Sequence, residues 1–348
     1  MRTILSLVLV LVLASCGRAA VTPSTPSPSA TTTATSSASS ATSAPRTASS
    51  TPAASTTPGG SPTPIAFPTN TFLAAAGNGV VWALVASSRL FRSTDRGDTW
   101  TERTVPSGVN LGDIAFVNDR DGWLLSVGSP GTQCTFQSVA IYRTSDGAVT
   151  WQRVEPQGIA DRQCKEALVF NDATHGYLGS WDQNSAPRIY RTADGGTAWG
   201  ASQSLADPPG FTTTVAGGSL RTGPVADFVS VMFVDATGFQ VGGRVEYVYR
   251  STDRGAIWSY VTTAPQRMPV VFVTTTRWIQ IFLPELSSET TDAGQTWHAY
   301  ATDYGQAAPV APQVAFGDAN TGYATVRGSI QRSTDGGAHW TALRTPGT

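Results

Sequence analysis

Apolar stretches in this chain are short, and six of them are interrupted by one polar phrase: Ser or Thr, any residue, Asp, any residue, Gly, two residues, Trp. The copies are Ser93-Asp95-Gly97-Trp100, Thr144-Asp146-Ala148-Trp151, Thr192-Asp194-Gly196-Trp199, Ser251-Asp253-Gly255-Trp258, Thr290-Asp292-Gly294-Trp297 and Ser333-Asp335-Gly337-Trp340. Only the second departs, with Ala148 at the Gly position. Successive Asp residues lie 51, 48, 59, 39 and 43 positions apart, a period that suits one four-stranded sheet per repeat. Short hydroxyl and carboxylate side chains close a turn on their own backbone, Gly accepts positive φ, and Trp starts the next strand with a large ring to bury. Six copies of one turn imply one repeated structural job, so none of the six Asp residues reads as catalytic.

A second phrase precedes most copies. Phe116-Val117-Asn118-Asp119 leads to Gly122-Trp123, Phe170-Asn171-Asp172 to Gly176-Tyr177, Phe233-Val234-Asp235 to Gly238-Phe239, and Phe316-Gly317-Asp318 to Gly322-Tyr323. In the fifth unit Phe272 is followed by Thr274 to Thr276 and Arg277-Trp278, without Asp or Gly. Each unit therefore predicts strand a ending near Phe, a tight turn, strand b after the Gly-aromatic pair, a short strand c reading aromatic-Arg-Thr or Ser, and strand d from Trp. The expected fold is all-β: a six-bladed β-propeller over residues 66–348, with no strand left over for a swapped closure. A seventh blade in the widest interval is the alternative, but residues 202–227 are Gly, Thr and Pro rich and read better as a long loop.

The six-fold phrase resembles the Asp box, or BNR repeat, of sialidases, sortilin and photosystem II stability and assembly factors. Combined with the Phe-x-Asp and Gly-aromatic phrases, the chain looks most like the assembly-factor type. That resemblance implies a non-enzymatic scaffold that binds another protein, with an arginine patch as a binding feature.

Residues 1–65 carry different signals. Arg2, the apolar run Ile4 to Leu13, and Leu13-Ala14-Ser15-Cys16 resemble the lipobox of a bacterial lipoprotein. The resemblance implies a signal peptide over 1–15, diacylation of Cys16, and membrane attachment through lipid alone. The run is too short to span a bilayer comfortably. From Val21 to Pro64 the chain is almost wholly Ser, Thr, Pro and Ala, with Arg46 its single charge, which predicts a disordered linker within 16–65. The expected location is outside the cytoplasmic membrane or on the outer membrane, and the expected state is monomeric.

Net charge is −1 and pI about 6.3, and Lys165 is the only lysine beside 22 arginines, which argues against a nucleic-acid partner. Cys134 falls in the second unit's b-to-c loop and Cys164 in the connection to the third, on one face at neighbouring blades, so a disulfide is expected in an oxidising compartment. That face also carries Arg89, Arg188, Arg244 and Arg327 in four b-to-c loops, with Trp181, Asp182, Phe136 and Glu285 nearby. The connections add Asp113, Asp161, Arg162, Glu166, Arg267, Asp303 and Tyr304. Recurrent arginine suits a carboxylate, a phosphate or an acidic partner patch. Pairing of the same arginines with neighbouring carboxylates is the structural alternative.

A sialidase needs an arginine triad, a Tyr and Glu pair, an acid/base Asp and an Arg-Ile-Pro motif before the first box. None precedes Ser93, and Pro187-Arg188-Ile189 has the wrong order and place. His175, His298 and His339 lack metal-ligand spacing and read as turn histidines. No nucleophile elbow, phosphate loop or dinucleotide fingerprint occurs, so neither cofactor nor metal is expected. The sequence thus points to a protein- or glycan-binding module, with a cell-surface glycoside hydrolase of sialidase-like architecture as the alternative.

Overall fold

Phe116 and Gly122 face each other across a hairpin, and a Cβ on Gly122 would come within 2.1 Å of the phenyl ring. The same approach recurs at Phe170 and Gly176, and at Phe316 and Gly322, with 2.6 and 2.7 Å. The spaced phrase is thus a cross-strand pair in which the ring lies over a residue that must lack a side chain. The computed structural model of the chain describes residues 64–65, 70–211, 220–240, 242–305, 312–326 and 328–348. The signal segment, Cys16 and nearly all of the linker lie outside them.

Six antiparallel sheets form a six-bladed β-propeller. The first holds β1 (Thr71–Ala75), β2 (Val81–Val85), β3 (Arg89–Ser93) and β4 (Thr101–Arg103), and the second β5 (Leu111–Phe116), β6 (Gly122–Val127), β7 (Val139–Thr144) and β8 (Gln152–Val154). The third holds β9 (Cys164–Phe170), β10 (Gly176–Trp181), β11 (Arg188–Thr192) and β12 (Gly200–Ala201). The fourth holds β13 (Arg221–Thr222), β14 (Ala226–Asp227), β15 (Met232–Gln240), β16 (Gly243–Ser251) and β17 (Ser259–Thr263). The fifth holds β18 (Val271–Phe272), β19 (Trp278–Gln280), β20 (Ser288–Thr290) and β21 (His298–Ala299), and the sixth β22 (Gln313–Phe316), β23 (Gly322–Val326), β24 (Ser329–Ser333) and β25 (Thr341–Leu343).

The cores lie between sheets. Trp82 and Leu84 of the first pack with Ile114, Phe116 and Leu124 of the second, and Val81 and Phe91 of the first with Tyr323 and Ile330 of the sixth. Each blade buries its apolar faces only against its neighbours, which makes closure of the ring part of its stability. The ends meet without exchanging a strand: Ile65 N–H donates to the Gly347 carbonyl at 2.6 Å, and the Thr71 hydroxyl to Gly328 at 3.3 Å.

The fourth blade corrects the sequence reading. Phe233 to Phe239 is not a turn between strands a and b but the middle of β15, where Phe233 pairs with Arg250 and Gly238 with Val245. Its inner strand comes instead from β13 and β14, inside the interval expected to be loop. Continuous burial of Met232 to Ala236 in β15 outweighs the turn propensity of Asp235 and Gly238.

Candidate functional site

The six repeated turns share one hydrogen-bond set. In the first, Ser93 donates to Asp95 Oδ1 at 2.6 Å and accepts from Gly97 N–H at 2.8 Å, while Asp95 Oδ1 accepts from Thr99 N–H at 2.9 Å. Equivalent hydroxyl-to-carboxylate bonds occur at Thr144, Thr192, Ser251, Thr290 and Ser333, with 2.7 or 2.8 Å. Ala148 holds the turn at φ 61°, with its N–H on the Thr144 hydroxyl. Hydrogen bonds from Ser93 and Thr99 hold the Asp95 carboxyl down to about 2, and bonds from Thr296 do the same for Asp292. These carboxylates are occupied in holding strand c to strand d.

The arginines before the turns reach across the boundaries between blades, here called seams. Arg92 donates to the Asp119 carbonyl at 2.9 Å, Arg191 to Arg254 at 3.1 Å and Arg332 to Arg96 at 2.9 Å. Arg143 lies over Trp123, its guanidinium 2.7 Å from where a Cβ on Gly195 would stand. The fifth blade carries Glu289 instead of arginine at this place. There Arg277 from the preceding turn pairs with Glu289 at 2.6 Å and donates to the Gly336 carbonyl at 2.9 Å.

On the opposite face, the long b-to-c loop of the second blade is braced from several sides. Cys134 and Cys164 are joined by a disulfide with a Cα–Cα separation of 5.0 Å. Gln137 N–H donates to the Asp161 carbonyl at 2.8 Å, and the Gln137 amide to Gly128 at 3.0 Å. The buried Lys165 ammonium donates to four carbonyls, those of Gln137, Ala160, Arg162 and Gln163, at 2.6 to 3.1 Å. Burial pulls the Lys165 pKa down to about 8. From this braced loop Phe136 projects with 50% of its surface exposed.

The predicted arginine rim is largely paired within its own strands. Arg89 makes a two-pronged bond to Glu102 at 2.6 and 2.7 Å, and Arg244 pairs with the fully buried Glu246 and donates to Thr237 at 3.0 Å. Arg188 is exposed and has no side-chain partner among the described residues, and Arg327 lies outside them. Trp181 is 7% exposed and covered by the Arg221 guanidinium, 3.5 Å from its ring centroid. Asp303 and Tyr304 do not belong to this face: Asp303 accepts from Trp340 N–H at 2.8 Å beside the sixth repeated turn, and Tyr304 is fully buried against the same indole. The connection leaves strand d at the turn end of the blade and docks on the next turn before it crosses over.

Two acids of adjoining inner strands form the other candidate group. Asp113 accepts from Ile114 N–H at 2.8 Å and, across the seam, from Leu168 N–H at 2.9 Å. Burial pushes its carboxyl up to about 7, against the two backbone bonds. Burial likewise raises Glu166 to about 7, although Arg221 and Trp181 oppose the shift. Sequence placed both residues near the mouth, but their raised pKa values follow from burial that no motif announces. Among the described residues, no group of three or more His, Cys, Asp or Glu side chains is placed to hold a metal ion. His175, His298 and His339 each pair with one carboxylate, on Asp172, Glu289 and Asp335.

No protein-family model matches the chain. A xyloglucanase of Paenibacillus sp is 30% identical over 138 residues, 32% of this chain but 13% of that protein, so the chain spans a small part of its relative. Among solved structures, YCF48 bound to D1 peptide aligns over 80% of this chain and 82% of its own, with TM-score 0.48 and 15% identity. The GH74 xyloglucanase from Xanthomonas campestris aligns over 80% of this chain and 45% of its own, with TM-score 0.49 and 16% identity.

Proposed function

We propose that this chain is an exported, lipid-anchored propeller that binds a protein partner as a non-enzymatic scaffold or assembly module. The observation that carries the reading is Phe136, an exposed aromatic on a loop fixed by a disulfide and a buried ammonium. A large ring on a braced loop loses little conformational freedom on docking, the condition under which an aromatic anchor contributes most to affinity. Arg188, exposed in the next blade, adds a guanidinium for a partner carboxylate. The test is affinity capture from the source cell envelope with the full chain. Phe136→Ala and Arg188→Ala are expected to lose a partner that the wild type retains, and equal recovery by all three proteins would remove the reading.

A glycoside hydrolase is the second reading. It is favoured by Asp113 and Glu166 on adjoining inner strands, both held up to about 7, since a general acid must keep its proton near neutral pH. The partial identity to a xyloglucanase supports the same reading. Release of reducing ends from xyloglucan by the wild type, abolished in Glu166→Gln, would establish it and displace the scaffold.

A further inference from the structure

Two departures from the repeat coincide in the fourth blade, on the face opposite Phe136. The first concerns the seam arginines. At five seams a guanidinium reaches the next blade, by a bond to a carbonyl at four and by the close approach of Arg143 to Gly195 at the second, whereas Arg250, at the fourth, is exposed and has no side-chain partner among the described residues. The a-to-b turn of the fifth blade, Thr274 to Thr276, lacks the Asp and Gly of the second blade's turn, whose Asp119 carbonyl receives Arg92.

The second departure concerns the turn carboxylates. Five have a partner for Oδ2: Thr99, Thr150 and Thr296 donate their hydroxyls at 2.5 to 2.6 Å, Ala198 its N–H at 3.1 Å, and His339 its ring nitrogen lies at 2.5 Å. In the fourth turn that place is held by Ile257, which has no side-chain donor, and all bonds to the Asp253 carboxylate fall on Oδ1. Asp253 Oδ2 has no hydrogen-bond partner among the described residues.

Both free groups border one surface cavity of about 240 Å³, lined by Arg250, Thr252, Asp253, Ile257 and Ser259. It combines a free guanidinium, a free carboxylate oxygen, two hydroxyls and the half-exposed side of Ile257. Arg250 and Asp253 carry opposite charges, with Arg191 of the preceding blade beside Asp253, so the site offers both donors and an acceptor. Its size falls below the range of about 300 to 1,000 Å³ typical of drug-sized ligands.

We propose that this cavity is a subsite for one neutral pyranose unit of a glycan. Adjacent ring hydroxyls donate to Asp253 Oδ2 and accept from Arg250, and Ile257 packs against the C–H face of the sugar. The site lies apart from Phe136 and does not depend on the protein-scaffold reading.

Titration of the full chain by saturation-transfer NMR tests it with the methyl β-glycosides of glucose, galactose and xylose, the methyl α-glycoside of mannose, and N-acetylglutamate as an acidic probe. Saturable binding of at least one glycoside is expected, weakened roughly tenfold or more in Arg250→Ala. Ile257→Thr is the sharper variant, because it restores the repeat's own turn: the introduced hydroxyl takes up Asp253 Oδ2, and binding falls while the fold is kept. Phe136→Ala leaves sugar binding unchanged. Binding of no glycoside, binding indifferent to Arg250→Ala and Ile257→Thr, or preferential binding of N-acetylglutamate would each overturn the proposal.

Discussion

Arg332, in the last blade, forms an ion pair with Asp98 of the first at 2.7 Å. Its guanidinium also donates to the Arg96 carbonyl at 2.9 Å, so the seam that joins the chain's two ends uses the same device as the seams inside it. Loss of this contact acts on closure of the ring, a step that local strand pairing cannot replace.

Arg332→Ala is therefore expected to destabilise the propeller by about 1 kcal/mol, the order of a charge-assisted bond at a partly exposed site. Arg188→Ala, at a side chain without a partner, is expected to stay within about 0.5 kcal/mol of wild type. Urea unfolding midpoints of the two variants check the difference.

Lys165 stands where four carbonyls converge, and Lys165→Met leaves them without a donor. A loss of about 2 to 4 kcal/mol is expected, and removal of the disulfide by Cys134→Ser with Cys164→Ser costs about as much. Both changes loosen the same loop, so the combined variant is expected to lose less than the sum. A double-mutant cycle in thermal or urea unfolding measures that coupling.

Glu166 gives a stability slope of definite sign. Its folded pKa of about 7 lies above its ordinary value, so the native state holds the proton longer and stability is lost as pH rises from the usual carboxylate range to about 7. Asp113 acts in the same direction. Glu166→Gln is expected to flatten this slope, and unfolding midpoints between about pH 4.5 and about pH 7.5 show whether it does.

The turn carboxylates act oppositely. Asp95 and Asp292 are held down to about 2, so their contribution is present above the ordinary Asp pKa and is lost as pH falls from about 4 toward 2. Asp95→Asn is expected to be less stable than wild type at neutral pH and to show a shallower acid slope, with the two curves converging near pH 2, as followed by circular dichroism.

The repeated turns were legible because their chemistry is local: a hydroxyl, a carboxylate and a Gly or Ala within five residues close on one another whatever surrounds them. The blade count followed from them, and a tight turn between Phe116 and Gly122 was legible too, whereas the ring lying over the glycine was seen only in the structure. The arginine rim was less legible. Arg89 and Arg188 begin strand c in similar settings, and only Glu102 on the adjoining strand separates a structural side chain from an available one.

By itself the sequence determined where each sheet turns from strand c to strand d and how many sheets there are, since those choices depend on residues a few positions apart. The tertiary structure alone decided the rest: β13 and β14 as the fourth blade's inner strand, Arg277 in the role of a missing arginine, the raised pKa values of Asp113 and Glu166, and the unpaired Arg250 beside Asp253. The physical reason is distance along the chain. Burial and guanidinium pairing at a seam are set by groups 27 to 63 positions away inside the chain and 234 at the closing seam, and no local pattern records which of them will meet.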